Sequence, residues 1–264
     1  MRICLLILSL LVSLHSSSQI VKNLEKRFIF RLDYKPDSNN FNRIETEFFF
    51  LDISEEQSVF RSESTHIKDS ILNSDNPNSL MQTPKTQFRY TIVKNFSNNK
   101  IKSFHDYTTF KFALEEEDSQ INWQVHNDNK DILGYNCSKA TAKYKGREYT
   151  AYFAQEIPFS DGPYKFKGLP GMILQLQDSN NEYNFEVVGI SNLKNYDYYL
   201  ARHENYKTIS KKELAEFEDK IKEKPSLILM NPGIQLSQEA YEKYDRNHRE
   251  RNKSRNNPIE LTRD

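Results

Sequence analysis

Apolar and polar residues alternate along most of this chain with the period of two that is typical of β-strands. The alternation is clear in five segments, whose apolar members are Phe28, Phe30, Leu32 and Tyr34; Ile44, Phe48 and Phe50; Phe88, Tyr90 and Ile92; Phe110, Phe112 and Leu114; and Ile121, Trp123 and Val125. Such strands bury one face and leave the other in water, which favours antiparallel sheets over buried parallel ones. We therefore predict a mainly β fold, built as a curved antiparallel sheet or open half-barrel.

Two hairpins are predicted in the middle of the chain. Residues 136–144 and 148–154 flank a short turn whose glycine, Gly146, can adopt a positive φ. A second pair of alternating runs, at residues 172–176 and 183–187, is separated by a polar loop. Both hairpins extend the same sheet in this prediction.

The character of the sequence changes near residue 205. Residues 210–213 fit a helix capping box, an apolar stripe at helical spacing follows, and Pro225 ends the run. A second, polar helix is predicted from about Ser237, followed by a basic tail that is expected to be solvated and partly frayed. Residues 70–84, rich in Ser, Asn, Asp and Pro, are predicted to form a mobile loop over a sheet edge.

The first eighteen residues have the features of a secretory signal peptide. Arg2 supplies the positive start, residues 3–14 are almost entirely apolar, and Ser16 and Ser18 are small residues suited to cleavage. The apolar run is shorter than the ~20 residues of a transmembrane helix. We therefore expect an exported protein that is periplasmic, outer-membrane-associated or extracellular. The predicted organisation is a signal peptide at 1–18, an antiparallel β domain at 19–204, and a helical, partly disordered extension at 205–264.

Composition narrows the function classes further. The chain has 264 residues, with 37 basic and 37 acidic side chains, so its net charge is zero. A neutral chain has no overall field to attract nucleic acid, so no nucleic-acid partner is expected. With 37% hydrophobic residues, a protein with several membrane spans is also excluded.

One segment is rich in glycine and proline and leads directly into a predicted strand. Three of the seven glycines lie within ten residues of one another. The candidate binding or structural motif comprises Gly162, Pro163, Tyr164, Phe166, Gly168, Leu169, Pro170 and Gly171. Its spacing does not match a phosphate-binding loop, because no Lys-Ser or Lys-Thr follows the last glycine. Two alternatives stay open: an ordered plug that buries Tyr164, Phe166 and Leu169 against the sheet, or a surface that recognises a ligand or partner.

The same segment carries a family resemblance. Residues 168–173, Gly-Leu-Pro-Gly-Met-Ile, resemble the signature of the GLPGLI family, with Met172 in place of the second Leu. The runs at residues 132–140, 146–152 and 156–158 are similar to the Gly-Tyr-x-Cys-x-Lys-Ala, Gly-Arg and Ile-Pro motifs that precede this signature. The resemblance implies an exported protein of Gram-negative bacteria. It implies no established activity and no catalytic residues.

Candidate chemistry is sparse. The histidines do not pair at metal-binding spacings, and no nucleophile elbow is present, so no catalytic residue, metal or cofactor is predicted. Removal of the signal peptide leaves Cys137 as the sole cysteine. It is either a half-buried strand residue, a free thiol able to join two chains as a dimer, or a nucleophile. Its strand parity, shared with Lys139 and Lys143, places it on the wetter face.

Two functions are compatible with these patterns. The first is an exported, non-catalytic binding or accessory protein that takes an apolar ligand or an envelope protein partner. The second is a secreted hydrolase or a thiol-dependent enzyme using Cys137. An enzyme needs polar groups that converge in a pocket, whereas a carrier of apolar ligands needs a cavity with few of them.

Overall fold

The computed structural model describes residues 25–72, 84–193, 205–230 and 236–262. Among these residues, twelve strands form one sheet and three α-helices flank it. The strands are β1 (Lys26–Tyr34), β2 (Glu45–Ile53), β3 (Gln57–Ser62), β4 (Tyr90–Asn95), β5 (Lys100–Tyr107), β6 (Phe110–Glu117), β7 (Gln124–Ile132), β8 (Tyr135–Tyr144), β9 (Arg147–Ala154), β10 (Met172–Asp178), β11 (Tyr183–Asn192) and β12 (Lys207–Thr208). The helices are α1 (Glu63–Leu72), α2 (Lys211–Glu223) and α3 (Gln238–Lys253).

The sheet is open, in the order β12-β6-β5-β4-β3-β2-β1-β11-β10-β9-β8-β7. Its strands pair antiparallel, except that the two-residue β12 runs parallel to β6. The prediction of a mainly β fold with an open antiparallel sheet and C-terminal helices is confirmed. Strand β1 shows why the pattern was informative: its buried members Phe28, Phe30 and Leu32 belong to the main apolar cluster, while Ile29 and Arg31, which alternate with them, are only partly covered.

One face of the sheet, called here the core face, carries the largest apolar cluster. The connection between β9 and β10, residues 155–171, crosses this face and contributes Phe166 and Leu169 to the cluster. A buried ion pair between Lys94 of β4 and Asp161 fixes the connection, and the Lys94 ammonium also donates to the Gly162 carbonyl at 2.7 Å. Burial lowers the pKa of Lys94, and the Asp161 carboxylate opposes that effect. This pair joins the glycine-rich segment to the far half of the sheet.

Helix α1 is attached to the sheet through charged side chains. Arg27 donates to both oxygens of the buried Asp52, at 2.6 and 2.8 Å, and the buried Arg61 lies 2.6 Å from Nδ1 of His66 on the helix. Burial, with the two arginines, lowers the pKa of His66 to about 3, so its imidazole is neutral at neutral pH.

The C-terminal helices pack onto the sheet. The predicted capping box of α2 is present, since the Ser210 hydroxyl accepts from Glu213 N and the Glu213 carboxylate accepts from Ser210 N at 2.8 Å. Phe217 of α2 packs against rings of β5 and β6. After Pro225, the Ser226 backbone N–H donates to Asp245 of α3 at 2.6 Å. The two helices are thereby joined to each other and to the sheet.

Two of the sequence predictions concern residues that lie largely outside the described parts of the chain. The predicted signal peptide at residues 1–18 lies outside the described residues, as do residues 73–83 of the predicted loop. Residues 70–72, predicted as part of that loop, instead form the last turn of α1. No helix among the described residues is long and apolar enough to span a membrane.

Candidate functional site

The glycine-rich segment is part of the core. Phe166 is buried against Tyr149 and Tyr144, with ring centroids 4.6 and 5.0 Å apart, and Leu169 is only 1% exposed. Gly162, Pro163, Tyr164 and Gly171 are also buried, whereas Gly168 and Pro170 are exposed. Because Leu169 does not reach the surface, this geometry favours the plug over the recognition surface.

A stretch of residues near the C-terminus is held against the sheet, mainly by Arg147 of β9. Residues 256–262, called here the strap, run across the β8–β9 turn and the β10–β11 turn. The Arg147 guanidinium donates to Asn257 Oδ1 at 2.5 Å and to the Pro258 carbonyl at 2.8 Å. The same guanidinium pairs with Asp178 at 2.9 Å and Glu182 at 2.5 Å. Two carboxylates and two acceptors of the strap therefore share one buried arginine, with Nη1 contacting the carboxylates and Nη2 contacting the strap.

Tyrosine hydroxyls add to this attachment. Tyr183 donates to the Asn257 carbonyl at 2.6 Å, and Tyr164 donates to Glu260 Oε1 at 2.6 Å. The Lys165 ammonium lies 3.0 Å from the same Glu260 oxygen. Burial alone would raise the pKa of Glu260, but Lys165 and the Tyr164 hydrogen bond outweigh it, so that pKa lies below its usual value. Glu260 is thus held ionised.

Sequence reasoning missed the strap. The sequence predicts only a hairpin turn at Gly146 and Arg147. In the structure, Arg147 is the main anchor of the strap and Gly146 leaves room for it. A Cβ on Gly146 would lie 2.9 Å from Leu261 Cβ. The Leu261 N–H donates to the Lys145 carbonyl at 2.9 Å. The sequence does show an arginine in the hairpin, Arg147, followed two residues later by Tyr149. No pattern in the sequence indicated that residues 256–262 would contact it.

A large cleft lies between the core face, the glycine-rich segment, the C-terminal helices and the strap. Its volume is about 1190 Å³. Strands β4, β5 and β6 supply one wall, and α2 supplies the opposite one through Leu214, Ala215 and Ile221. Six aromatic side chains line it: Tyr34, Phe88, Tyr90, Tyr107, Tyr164 and Tyr183.

Two polar groups on the β4 and β5 wall are unusual. The Tyr90 hydroxyl oxygen is buried and has no hydrogen-bond partner among the described residues. Burial raises the pKa of Tyr90, so the group stays protonated. His105 Nε2 lies 3.1 Å from the Ser103 hydroxyl. Burial, reinforced by Lys165, lowers the pKa of His105 to about 4, so that imidazole is neutral at neutral pH.

The carboxylates of the cleft are already paired within the protein. Lys165 lies 2.7 Å from Glu116 as well as 3.0 Å from Glu260. Glu218 of α2 accepts from the Tyr107 hydroxyl at 2.7 Å. These contacts hold the strap and α2 against the sheet. No group of three or more His, Cys, Asp or Glu side chains able to hold a metal occurs in the described parts of the chain.

Cys137 corrects one prediction. The residue is 0% exposed and belongs to the main apolar cluster, so its expected place on the wetter face was wrong. The alternation along a strand shows to which side of the sheet a side chain points. It does not show whether other parts of the chain cover that side. Ile132 and Ile157 belong to the same cluster. Burial raises the pKa of the thiol to about 11, which is the opposite of the lowered pKa of an activated cysteine.

Comparisons with known proteins show that part of the chain matches one family model and that its fold is similar to that of solved structures. Residues 141–175 match the family model described as "Protein of unknown function (Porph_ging)". The match spans the β8–β9 turn and the glycine-rich segment. It connects the chain to a family of unknown function over this stretch, while the GLPGLI family itself stays a resemblance. No curated protein matches the chain significantly.

Two solved structures share the fold. They are titled "Structure of PNGF-II in C2 space group" and "Structure of PNGF-II in P21 space group", with a TM-score of 0.54 for both. Sequence identities are 13% and 12%, over 74% and 73% of this chain. The similarity covers 32% of each solved chain, so this chain corresponds to about a third of those proteins. At such identity the likeness concerns the fold alone.

Proposed function

We propose that this chain is an exported, non-catalytic binding protein of the cell envelope whose ligand occupies the cleft between the sheet and α2. Export rests on the signal-like sequence of residues 1–18. The observation that carries the binding role is the cleft of about 1190 Å³ lined by six aromatic side chains. Ligand pockets commonly have volumes of ~300–1,000 Å³ and mainly apolar walls, so this space is ample for a small organic ligand.

Pairing of the charged side chains supports binding over catalysis. A catalytic site needs acid and base groups that are free to reach a substrate. Here Glu116 and Glu260 are engaged by Lys165, and Glu218 is engaged by Tyr107. The buried Tyr90 hydroxyl, in contrast, can give a ligand one directed hydrogen bond. One donor within an aromatic wall orients a ligand without reacting with it.

A hydrolase remains the second candidate because Ser103 and His105 lie within hydrogen-bonding distance on the cleft wall. A nucleophile and base need a third group that orients the imidazole. Among the described residues, no hydrogen bond to Nδ1 of His105 supplies it, and Ser103 is only 2% exposed. Labelling of Ser103 by a fluorophosphonate would favour this candidate over the binding role.

The binding role is tested with phenylnaphthylamine, an uncharged fluorophore that brightens in apolar sites. We expect saturable binding by the full chain. Ala215 lines the cleft, so Ala215→Phe should fill part of it and weaken binding at least about tenfold, as expected when ligand and side chain compete for one space.

The matched control is Ala240→Phe, at a half-buried alanine of α3 that does not line the cleft. This variant should bind the fluorophore like the parent protein. Absence of binding to the parent, or equal weakening in both variants, would overturn the proposed function.

A further inference from the structure

The cleft carries an excess of positive charge that the neutral chain as a whole does not have. Its described lining includes six cationic side chains, Arg89, Lys165, Lys211, Lys212, Lys222 and Arg255, and three carboxylates, Glu116, Glu218 and Glu260. Two of these cations, Arg255 and Lys222, are paired with the carboxylates of Glu45 and Asp219 just outside the lining, so an excess of one positive charge is left in a protein whose formal net charge is zero. A wall of low dielectric beside such a cluster concentrates the field and attracts anions.

Most of these cations already have partners. Lys165 is held between Glu116 and Glu260, and Arg255 lies 3.1 Å from Glu45. The exceptions are Arg89 and Lys212, for which no ion pair occurs within the described residues. Both side chains are exposed at the cleft. They are therefore available to a ligand at no cost to the fold.

Arg89 lies beside the aromatic wall of the cleft, within reach of one end of a ligand bound against that wall. It immediately precedes Tyr90, the residue with the unpartnered hydroxyl, and its carbonyl accepts from Asp106 N at 3.0 Å. Burial and the Glu218 carboxylate raise the pKa of Tyr107, and the positive charge of Arg89 is close enough to oppose that effect. The backbone at Arg89 is thus fixed beside β5, while none of the described residues forms an ion pair with its guanidinium.

We propose, resting on the proposed binding function, that the ligand is an amphipathic organic anion. Its apolar body lies against Phe88, Tyr90 and Tyr107, and its carboxylate, sulfate or phosphate group meets Arg89 and Lys212. Arginine suits this task because its planar donors match the oxygens of such groups. The neutral Tyr90 hydroxyl donates to the same ligand nearer the wall.

Two fluorophores with the same ring system separate this inference from the proposed function. Anilinonaphthalene sulfonate is phenylnaphthylamine with one anionic group added. We expect the sulfonate to bind about tenfold more tightly than the neutral compound, as one charge-assisted contact would give. We expect that advantage to shrink with added salt, because exposed charges are screened. If neither compound binds, the proposed function fails; if both bind equally, only the charge inference fails.

Substitutions locate the anionic group. Arg89→Gln should weaken sulfonate binding about fivefold to tenfold and leave phenylnaphthylamine binding unchanged. Lys212→Gln removes the second positive charge that has no ion pair at the cleft, and it should weaken sulfonate binding in the same way. Lys212 lies on the exposed side of α2, so this substitution should affect folding little. The control is Arg31→Gln, because Arg31 lies on the opposite face of β1 from the cleft. Equal effects of Arg31→Gln and Arg89→Gln, or displacement of the sulfonate by inorganic sulfate alone, would overturn the inference.

Discussion

Replacement of Gly171 by alanine is the sharpest test of how the glycine-rich segment works. Gly171 has φ +153°, a conformation that residues with a Cβ rarely adopt. A Cβ at this position would lie 2.7 Å from the carbonyl carbon of Ala154 and closer still to its oxygen. Since Ala154 ends β9, which pairs with β10, neither backbone can move without disturbing the sheet.

Gly168 provides a matched control. It also has a positive φ, +94°, but a Cβ there would meet only Trp123, at 4.0 Å. Gly168→Ala therefore introduces backbone strain alone, about 1–2 kcal/mol. Gly171→Ala adds overpacking of about 1–3 kcal/mol to a similar strain, for a total of about 4 kcal/mol.

Thermal unfolding followed by circular dichroism measures the difference. For a domain of this size we expect Tm to fall by about 10 °C or more for Gly171→Ala and by about 5 °C for Gly168→Ala. A Gly171→Ala protein that melts like the parent, or two variants with equal losses, would refute the close approach of the two backbones as the reason for the glycine.

Two further predictions concern the strap and the thiol. Arg147→Lys keeps a positive charge near Asp178 but loses the two Nη2 contacts to the strap at residues 256–262, so we expect about 2–3 kcal/mol of lost stability and faster proteolysis of the C-terminal end. Lys143→Gln, an exposed change on the same hairpin, should alter neither, and an unaffected Arg147→Lys protein would contradict the anchoring role. Cys137→Ser should cost about 1–3 kcal/mol because it buries a hydroxyl in the apolar cluster. The native thiol should react with a disulfide reagent only after unfolding, and rapid labelling of the folded protein would show that it is accessible.

Local patterns in the sequence predicted most of the strands but not all of their details. The alternating run at residues 121–125 lies mostly before β7, and in β2 the core face carries Phe49 and Leu51 while Phe48 of the predicted run is exposed. Helix α1 was not predicted. The alternation in β1 predicted which side chains face the core, and residues 210–213 predicted the start of α2 correctly. Both features depend on neighbours within a few residues, so the sequence carries them directly. The cluster of glycines and prolines likewise identified a segment with a fixed backbone path, although not which of its two roles it serves.

The tertiary structure decided what these elements meet. Residues 256–262 contact Arg147, more than a hundred positions earlier, and no local pattern records such a pairing. The cleft exists because α2, the strap and the glycine-rich segment close over β4–β6. Which of its cations lack an ion pair among the described residues, Arg89 and Lys212, is likewise decided by the folded chain. Cys137 shows the same limit, since strand parity gives the side of a residue while packing from elsewhere in the chain decides whether that side is wet. Contacts between residues distant in sequence depend on how whole elements pack, and this is why the site became visible only in the folded chain.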